Sequence, residues 1–291
     1  MKPALFDYHS PSSVDEAVAL LASVDGAMIL AGGQSLVPAM NMRLASPAAL
    51  IDIQRISGLS SIRVEDGVIR VGAMVRHREL ELDAAAHAAN PLIREAMAHV
   101  AHVPIRNRGT VVGSLCHADA AAEMPMILVL TGGSVVARSS AGERIIPATD
   151  YFEFHMTTTR RADEMVTEAR FPALPKGAGY AFEEFTRRHG DYAIAAVGCI
   201  LTTAADGSVA DISLAACGIT SRPVKLVEAE AALKGRPIAP ETLAKAARAV
   251  AEVVTAGDDM HATAAYRKHL AGVLLKRVVE KAARRASGAS A

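Results

Sequence analysis

The sequence predicts an α+β protein in two parts, residues 1–176 and a smaller part, residues 177–291. Three observations carry this. First, residues 1–55 read as a small β/α unit, and 56–172 as paired strands with helices on them. Second, a Pro/Gly-rich joint, "ALPKGAG" at 173–179, interrupts the pattern. Third, three strand-like runs then precede three helical ones. A chain of 291 residues, 51% of them hydrophobic, is long enough for two cores.

In order, "SVDEAVALLASV" opens with Ser13 as a helix cap and Glu16 reaching back to it, with Val14, Ala17, Val18 and Leu21 on one face. "AMIL" (27–30) is a buried strand, "LVPAMNMRLA" (36–45) a short helix and "ALIDI" (49–53) a second strand. "SIRVEDGVIRVGAM" (61–74) alternates around Asp-Gly, a hairpin signature. "HRELELD" and "NPLIREAMAHVA" are helical, the latter with Pro91 in its first turn. "EMPMILVLTGG" (123–133) is a helix, "SVVARSSAGERII" (134–146) a hairpin turning at Ala-Gly, and "DEMVTEARFP" (163–172) a strand. Past the joint, strands are expected over 180–187, 193–203 and 208–217, and helices near 224–234, 241–254 and 263–285. The tail "RRASGASA" reads as frayed.

Bulk properties exclude several functions. The 31 basic residues are balanced by 31 acidic ones, so no basic field exists to hold nucleic acid. Trp is absent and aromatics are 4%, too few for base-stacking platforms. Asp7 and His9 interrupt any signal-peptide core. The longest strongly apolar stretch, 193–201, is too short to be a transmembrane segment. A cytoplasmic protein is expected. Cys116, Cys199 and Cys217 are dispersed, so a four-thiolate cluster cannot form on this chain.

Two glycine motifs invite chemistry. In "AGGQS", the Gly32–Gly33 pair follows an apolar strand and precedes a helix, so it is either a plain turn or an anion-binding nest of backbone N–H groups. In "IRNRGTVVGSLCHADAAAEMP" (105–125), Gly109 and Gly113 stand beside Thr110 and Ser114, with Asp119 and Glu123 soon after. Amides and hydroxyls suit phosphate oxygens, and a carboxylate suits ribose hydroxyls. The bland alternative is a surface loop with a capped helix. His117 lies inside this motif and is placed to bond a phosphate. His77, His99 and His102 lack the companions of a metal motif, and no metal ligand is assigned. Asp119, Glu123 and Asp191 form an acid/base set only on paper, and no catalytic residue is assigned.

Together these motifs resemble the FAD-binding medium subunit of the molybdenum hydroxylases. That family includes carbon monoxide dehydrogenase and enzymes of the xanthine dehydrogenase, nicotine and quinoline types. "FEEFTRRHGDYAIAAVG" (182–198) and "AAYRKHLAGVLLKR" (264–277) extend the resemblance along the whole chain. It implies a PCMH-type, VAO-like FAD-binding domain over 1–176, with subdomains of about 1–55 and 56–176. A carbon monoxide dehydrogenase flavoprotein-like C-terminal domain, a three-stranded antiparallel sheet with helices, would occupy 177–291.

By resemblance, Ala31, Gly32, Gly33, Gln34, Ser35 and Leu36 hold the FAD diphosphate, as do Thr110, Val111, Val112, Gly113 and Ser114. Glu123 matches an acidic position on the ADP side. Val100 and Val166 match apolar cofactor contacts, and Tyr192 an aromatic near one flavin face. The sequence departs from the family at Val112, commonly Gly, and at Glu183, Lys in some relatives. The first departure implies a less free backbone, and the second puts a polar flavin contact in doubt.

The resemblance also implies an oxidoreductase complex, a dimer of heterotrimers. A large subunit would hold molybdopterin and a small one two [2Fe–2S] clusters, with electrons leaving through FAD on this chain to an external acceptor. The chain lacks the cysteine-bearing insertion of the hydroxybenzoyl-CoA reductase branch. Two alternatives compete: a self-contained FAD-dependent oxidase or dehydrogenase, and a non-enzymatic nucleotide-binding module.

Overall fold

The computed structural model describes residues 2–288. The first subdomain comprises β1 (Asp7–His9), α1 (Val14–Ser23), β2 (Ala27–Leu30), α2 (Leu36–Asn41) and β3 (Ala49–Asp52). Its three strands are parallel in the order β1-β3-β2. Ser13 caps α1 as expected, accepting the Glu16 N–H at 3.2 Å. The Glu16 carboxylate reaches one residue further back, to the Ser12 N–H at 2.7 Å. β1 is absent from the sequence reading, because "DYH" carries no apolar alternation. α2 ends four residues before the expected Ala45, as the backbone turns through Arg43 at φ 59°.

The second subdomain begins with β4 (Ile62–Glu65) and β5 (Val68–Gly72), then α3 (His77–Leu82), α4 (Ala84–Ala89), α5 (Pro91–Met97), α6 (Val103–Arg106), α7 (Val111–His117) and α8 (Glu123–Leu130). It continues with β6 (Ser134–Ser139), β7 (Gly142–Pro147), α9 (Ala148–Tyr151), β8 (Phe152–Phe154), β9 (Thr157–Thr158) and β10 (Met165–Pro172). Five strands form an antiparallel sheet in the order β4-β5-β10-β6-β7. The Asp66-Gly67 turn has positive φ at both residues, the geometry that Asp-Gly favours.

The third unit carries β11 (Gly179–Phe185), β12 (Ala195–Thr203) and β13 (Val209–Cys217), and also a short edge strand, β14 (Val224–Lys225), beyond the three expected. Two residues carry no periodicity to read. Helices α10 (Val227–Leu233), α11 (Pro240–Val253) and α12 (Ala264–Ala286) cover one face. Gly179, read as part of the joint, already belongs to β11.

The other face of that sheet receives α8, whose eight residues are all buried. Gly198 on β12 allows this approach. A Cβ there would lie 2.5 Å from Leu130 Cδ2 and 3.0 Å from Met126 Cε. One core therefore runs from the first subdomain through α7 and α8 to Phe182, Ala196 and Cys217, and a second lies between the C-terminal sheet and its helices. The tail expected to fray instead continues α12 through Ala286, and Arg285 bonds Glu95 at 2.7 Å. Residues 289–291 of that tail lie outside the described residues. No described helix is long and apolar enough to cross a membrane.

Candidate functional site

The two glycine motifs, with Gly32 and Gly109 separated by 77 positions in sequence, touch. A Cβ on Gly32 would sit 2.6 Å from Arg108 O, 2.7 Å from Gly109 Cα and 2.8 Å from Thr110 N. Only a residue without a side chain permits that approach. Gly33 adopts φ +71°, the left-handed region, and turns the chain into α2. Among the described residues, the N–H groups of Gly32, Gly33, Gln34 and Ser35 donate to no backbone carbonyl. The Gln34 side chain braces the loop by donating to Gly32 O at 3.3 Å. Ala31 and Leu36 are partly buried at its two ends.

The second motif is not a free loop. Thr110 is the N-cap of α7 and accepts the Gly113 N–H at 3.1 Å. Val111 N–H donates to Val75 O at 3.1 Å, and Ser114 N–H to Thr110 O at 3.1 Å. Sequence reading missed this helix because two β-branched valines and a glycine make a poor first turn. Val112 lies in the first turn of this helix. It is buried in the core, 3% exposed.

Sequence reasoning also missed the cations here. The Arg76 guanidinium donates to Arg108 O, and Arg76 bridges Thr110 through the backbone. Beneath Gly109 lies His77, fully buried with neither ring nitrogen bonded. Burial, chiefly, holds its pKa down to about 4, so the ring is neutral.

A second cluster gathers beyond the C-terminal end of α7. His117 is half-buried, and burial lowers its pKa. Ala118, at φ 53°, turns the chain toward Asp119, whose carboxylate accepts the Ala121 N–H at 2.9 Å. Glu123 opens α8 and is 4% exposed. Burial first, then the charges of Glu184 and Asp119, push its carboxyl up to about 8. Tyr192 borders this cluster at 52% exposure. Partial burial, followed by the charges of Asp119 and Glu123, raises its phenol. Asp191, by contrast, is exposed.

Val166 is buried on β10, beside a bulge at Thr167. Val100 follows the turn after α5, its carbonyl held by Arg106 at 2.9 Å. Arg106 is in turn ion-paired with Glu81 at 3.0 Å. Glu183 is not brought to the cluster. It points to α12, where Lys281 lies 3.3 Å away. Its neighbour Glu184 faces inward instead, with His99 Nδ1 at 3.1 Å. Period-two alternation along "AFEEF" was the available signal: Phe182 and Glu184 share one face, Ala181 and Glu183 the other. Among the described residues, no group of three or more His, Cys, Asp or Glu side chains is gathered to hold a metal ion.

Abutting glycine loops, unpaired N–H groups and nearby carboxylates fit the diphosphate and hydroxyls of a nucleotide cofactor. Fold and cradle thus define a nucleotide-binding protein with a parallel subdomain, an antiparallel one and a C-terminal sheet. Comparison makes this specific. Residues 4–174 match the FAD binding domain in molybdopterin dehydrogenase, and 180–282 match the CO dehydrogenase flavoprotein C-terminal domain. The alpha subunit of the 6-hydroxypseudooxynicotine dehydrogenase complex of Paenarthrobacter nicotinovorans is 40% identical, over 98% of this chain and 97% of that protein. The carbon monoxide dehydrogenase medium chain of Afipia carboxidovorans is 37% identical, over 98% and 99%. A solved structure of reconstituted CO dehydrogenase from Oligotropha carboxidovorans superposes with a TM-score of 0.95 at 35% identity, covering 98% of this chain and 100% of that one. Quinoline 2-oxidoreductase from Pseudomonas putida 86 gives 0.93 at 36% identity, covering 99% of each. The chain belongs to the family of FAD-binding medium subunits of molybdenum hydroxylases, an oxidoreductase family.

Proposed function

We propose that this chain is the electron-exit subunit of a cytoplasmic molybdenum hydroxylase built from three kinds of chain. Its partners are a large molybdopterin subunit and a small subunit with [2Fe–2S] clusters, arranged as a dimer of heterotrimers. Residues 1–176 act as the FAD domain and 177–291 as the C-terminal domain. Bound FAD supplies a group able to take up two electrons and release them to an external acceptor.

The chain's own work is positioning. Ala31–Leu36 hold the diphosphate through backbone N–H groups, and Thr110–Ser114 close the other side of the cradle. His117, Glu123, Val100, Val166 and Tyr192 frame the rest of the cofactor, and Glu183 serves the α12 contact instead. The observation that carries this reading is the approach of Gly32 to Arg108, Gly109 and Thr110, which makes one cradle of two motifs. The relatives' names, subunits and medium chains of dehydrogenases, support the assembly.

Two measurements test it. The purified chain should show flavin absorption, or gain it on adding FAD. Neither result in a folded protein would remove the reading. Mixed alone with organic substrates, the chain should not turn them over. Robust turnover without partners would favour a self-contained flavin enzyme.

A further inference from the structure

Arg267, near the start of α12, is a charged side chain only 6% exposed, and holding a diphosphate does not account for it. A buried guanidinium costs free energy unless its N–H groups find acceptors. Here one terminal nitrogen, Nη1, donates to two carbonyls, Ile194 O at 2.6 Å and Gly218 O at 2.7 Å. The other, Nη2, donates to the Asp259 carboxylate at 2.5 Å, while Nε is buried without a partner. Asp259 in turn accepts the His261 and Ala262 N–H groups at 2.7 and 2.9 Å, so the anchor itself is fixed.

Both carbonyls belong to segments that lead to the candidate site. Ile194 closes the base of the loop between β11 and β12, its N–H donating to Phe185 O at 2.8 Å. Tyr192 stands on that loop, two residues before Ile194. Gly218 follows β13, and its N–H donates to Ala120 O at 2.9 Å. Ala120 lies in the turn between α7 and α8, the turn that carries Asp119 and leads into Glu123. The two segments also abut. A Cβ on Gly218, at φ +74°, would lie 2.7 Å from Ala193 O and 2.9 Å from Ile194 O. One guanidinium thus ties the base of the Tyr192 loop to the strand end that holds the Asp119 turn.

We propose that Arg267 is a positioning residue for the cofactor site, fixing Tyr192 and the Asp119 turn relative to each other so that Tyr192 is set in place before FAD binds. Its planar fork spans two carbonyls and a carboxylate at once, which the point charge of a lysine does less well. It touches no part of the site itself and acts through Ile194 and Gly218. The inference rests on the reading that Tyr192 lies near one flavin face.

The test is a double-variant cycle on the full-length apoprotein, titrated with FAD by flavin fluorescence, with circular dichroism to confirm folding. Tyr192→Ala removes the aromatic face and should raise the FAD Kd roughly 2- to 12-fold. Arg267→Met should raise it at least as much, because the loop is no longer held. Tyr192→Ala added to Arg267→Met should then cost nothing further, since a misplaced ring contributes no contact to lose. A purely structural role for Arg267 would leave the Tyr192→Ala factor at full size in the Arg267→Met background, and that result would overturn the proposal. So would wild-type affinity in folded Arg267→Met. If Arg267→Met does not fold, Arg267→Lys, which keeps the charge beside Asp259, serves in the same cycle with the same outcomes. Wild-type affinity in Tyr192→Ala would instead overturn the placement of Tyr192 beneath the proposal, and wild-type protein that binds no FAD would overturn the cofactor reading as a whole.

Discussion

The sharpest prediction concerns Gly32. In Gly32→Ala, the new methyl would lie 2.6–2.8 Å from three backbone atoms of the facing motif. Ordinary contact begins near 3.4 Å, so the loops must part by about 0.6–0.8 Å. Those atoms belong to the segment that caps α7, and Thr110 is 2% exposed, so the backbone cannot swing aside as a flexible side chain would. Overpacking of this kind costs about 1–3 kcal/mol. If the cost falls on the cradle, FAD affinity drops roughly 5- to 150-fold. Gly33→Ala meets only Val37 Cγ2 at 3.3 Å and Leu30 Cδ1 at 3.4 Å, and its cost is the left-handed backbone, about 1 kcal/mol or roughly fivefold. Fluorescence titration of both apoproteins with FAD, with circular dichroism to confirm folding, orders the two. Wild-type affinity in folded Gly32→Ala would refute the claim that one cradle is made by this contact.

Other predictions follow from the same geometry. Gly33→Val puts a β-branched side chain at φ +71° and should abolish FAD retention; flavin that co-purifies with it at full occupancy would contradict this. Val112→Gly should leave FAD affinity within a few-fold of wild type while lowering thermal stability by about 2–3 kcal/mol, since it empties a core position and adds helical glycine; lost FAD affinity at unchanged stability would refute it. Glu123 is raised from 4.5 to about 8 on folding, so the native state binds the extra proton. Its stability is then greatest below the unfolded value and declines as pH rises from about 4.5 to about 8. The rise from 4.5 to about 8 caps the loss at roughly 5 kcal/mol. The wild-type minus Glu123→Gln difference in unfolding free energy should show that slope, and a flat difference would refute it. Glu81→Ala strands buried Arg106, which also holds the Val100 carbonyl, and should cost about 3–5 kcal/mol by urea denaturation; a loss below 1 kcal/mol would show that the pair is not buried as described.

What could be read from the sequence was what local physics dictates. Ser13 before an acidic first turn gave α1, Asp66-Gly67 gave the first hairpin, a continuous apolar run ended by glycine gave α8, and helical spacing gave α12. What could not be read depends on partners distant in the chain. β1 exists because β3 offers it an edge, with Tyr8 Oη reaching Asp52 at 2.6 Å. α7 forms despite Val111, Val112 and Gly113 because Thr110 caps it and the core takes both valines. The glycine motifs were legible individually, but their contact was not, since nothing local links Gly32 to Gly109. Glu184 was overlooked in favour of Glu183 although strand alternation separates them, because motif matching weighs identity and not the face a side chain takes.

The central claim, that electrons leave the complex through FAD held on this chain, is tested most directly by removing the flavin. The assembled complex, stripped of FAD and mixed anaerobically with its substrate, should still reduce its iron–sulfur clusters. It should fail to reduce the external acceptor until FAD is restored. Acceptor reduction at an undiminished rate without flavin would contradict the account.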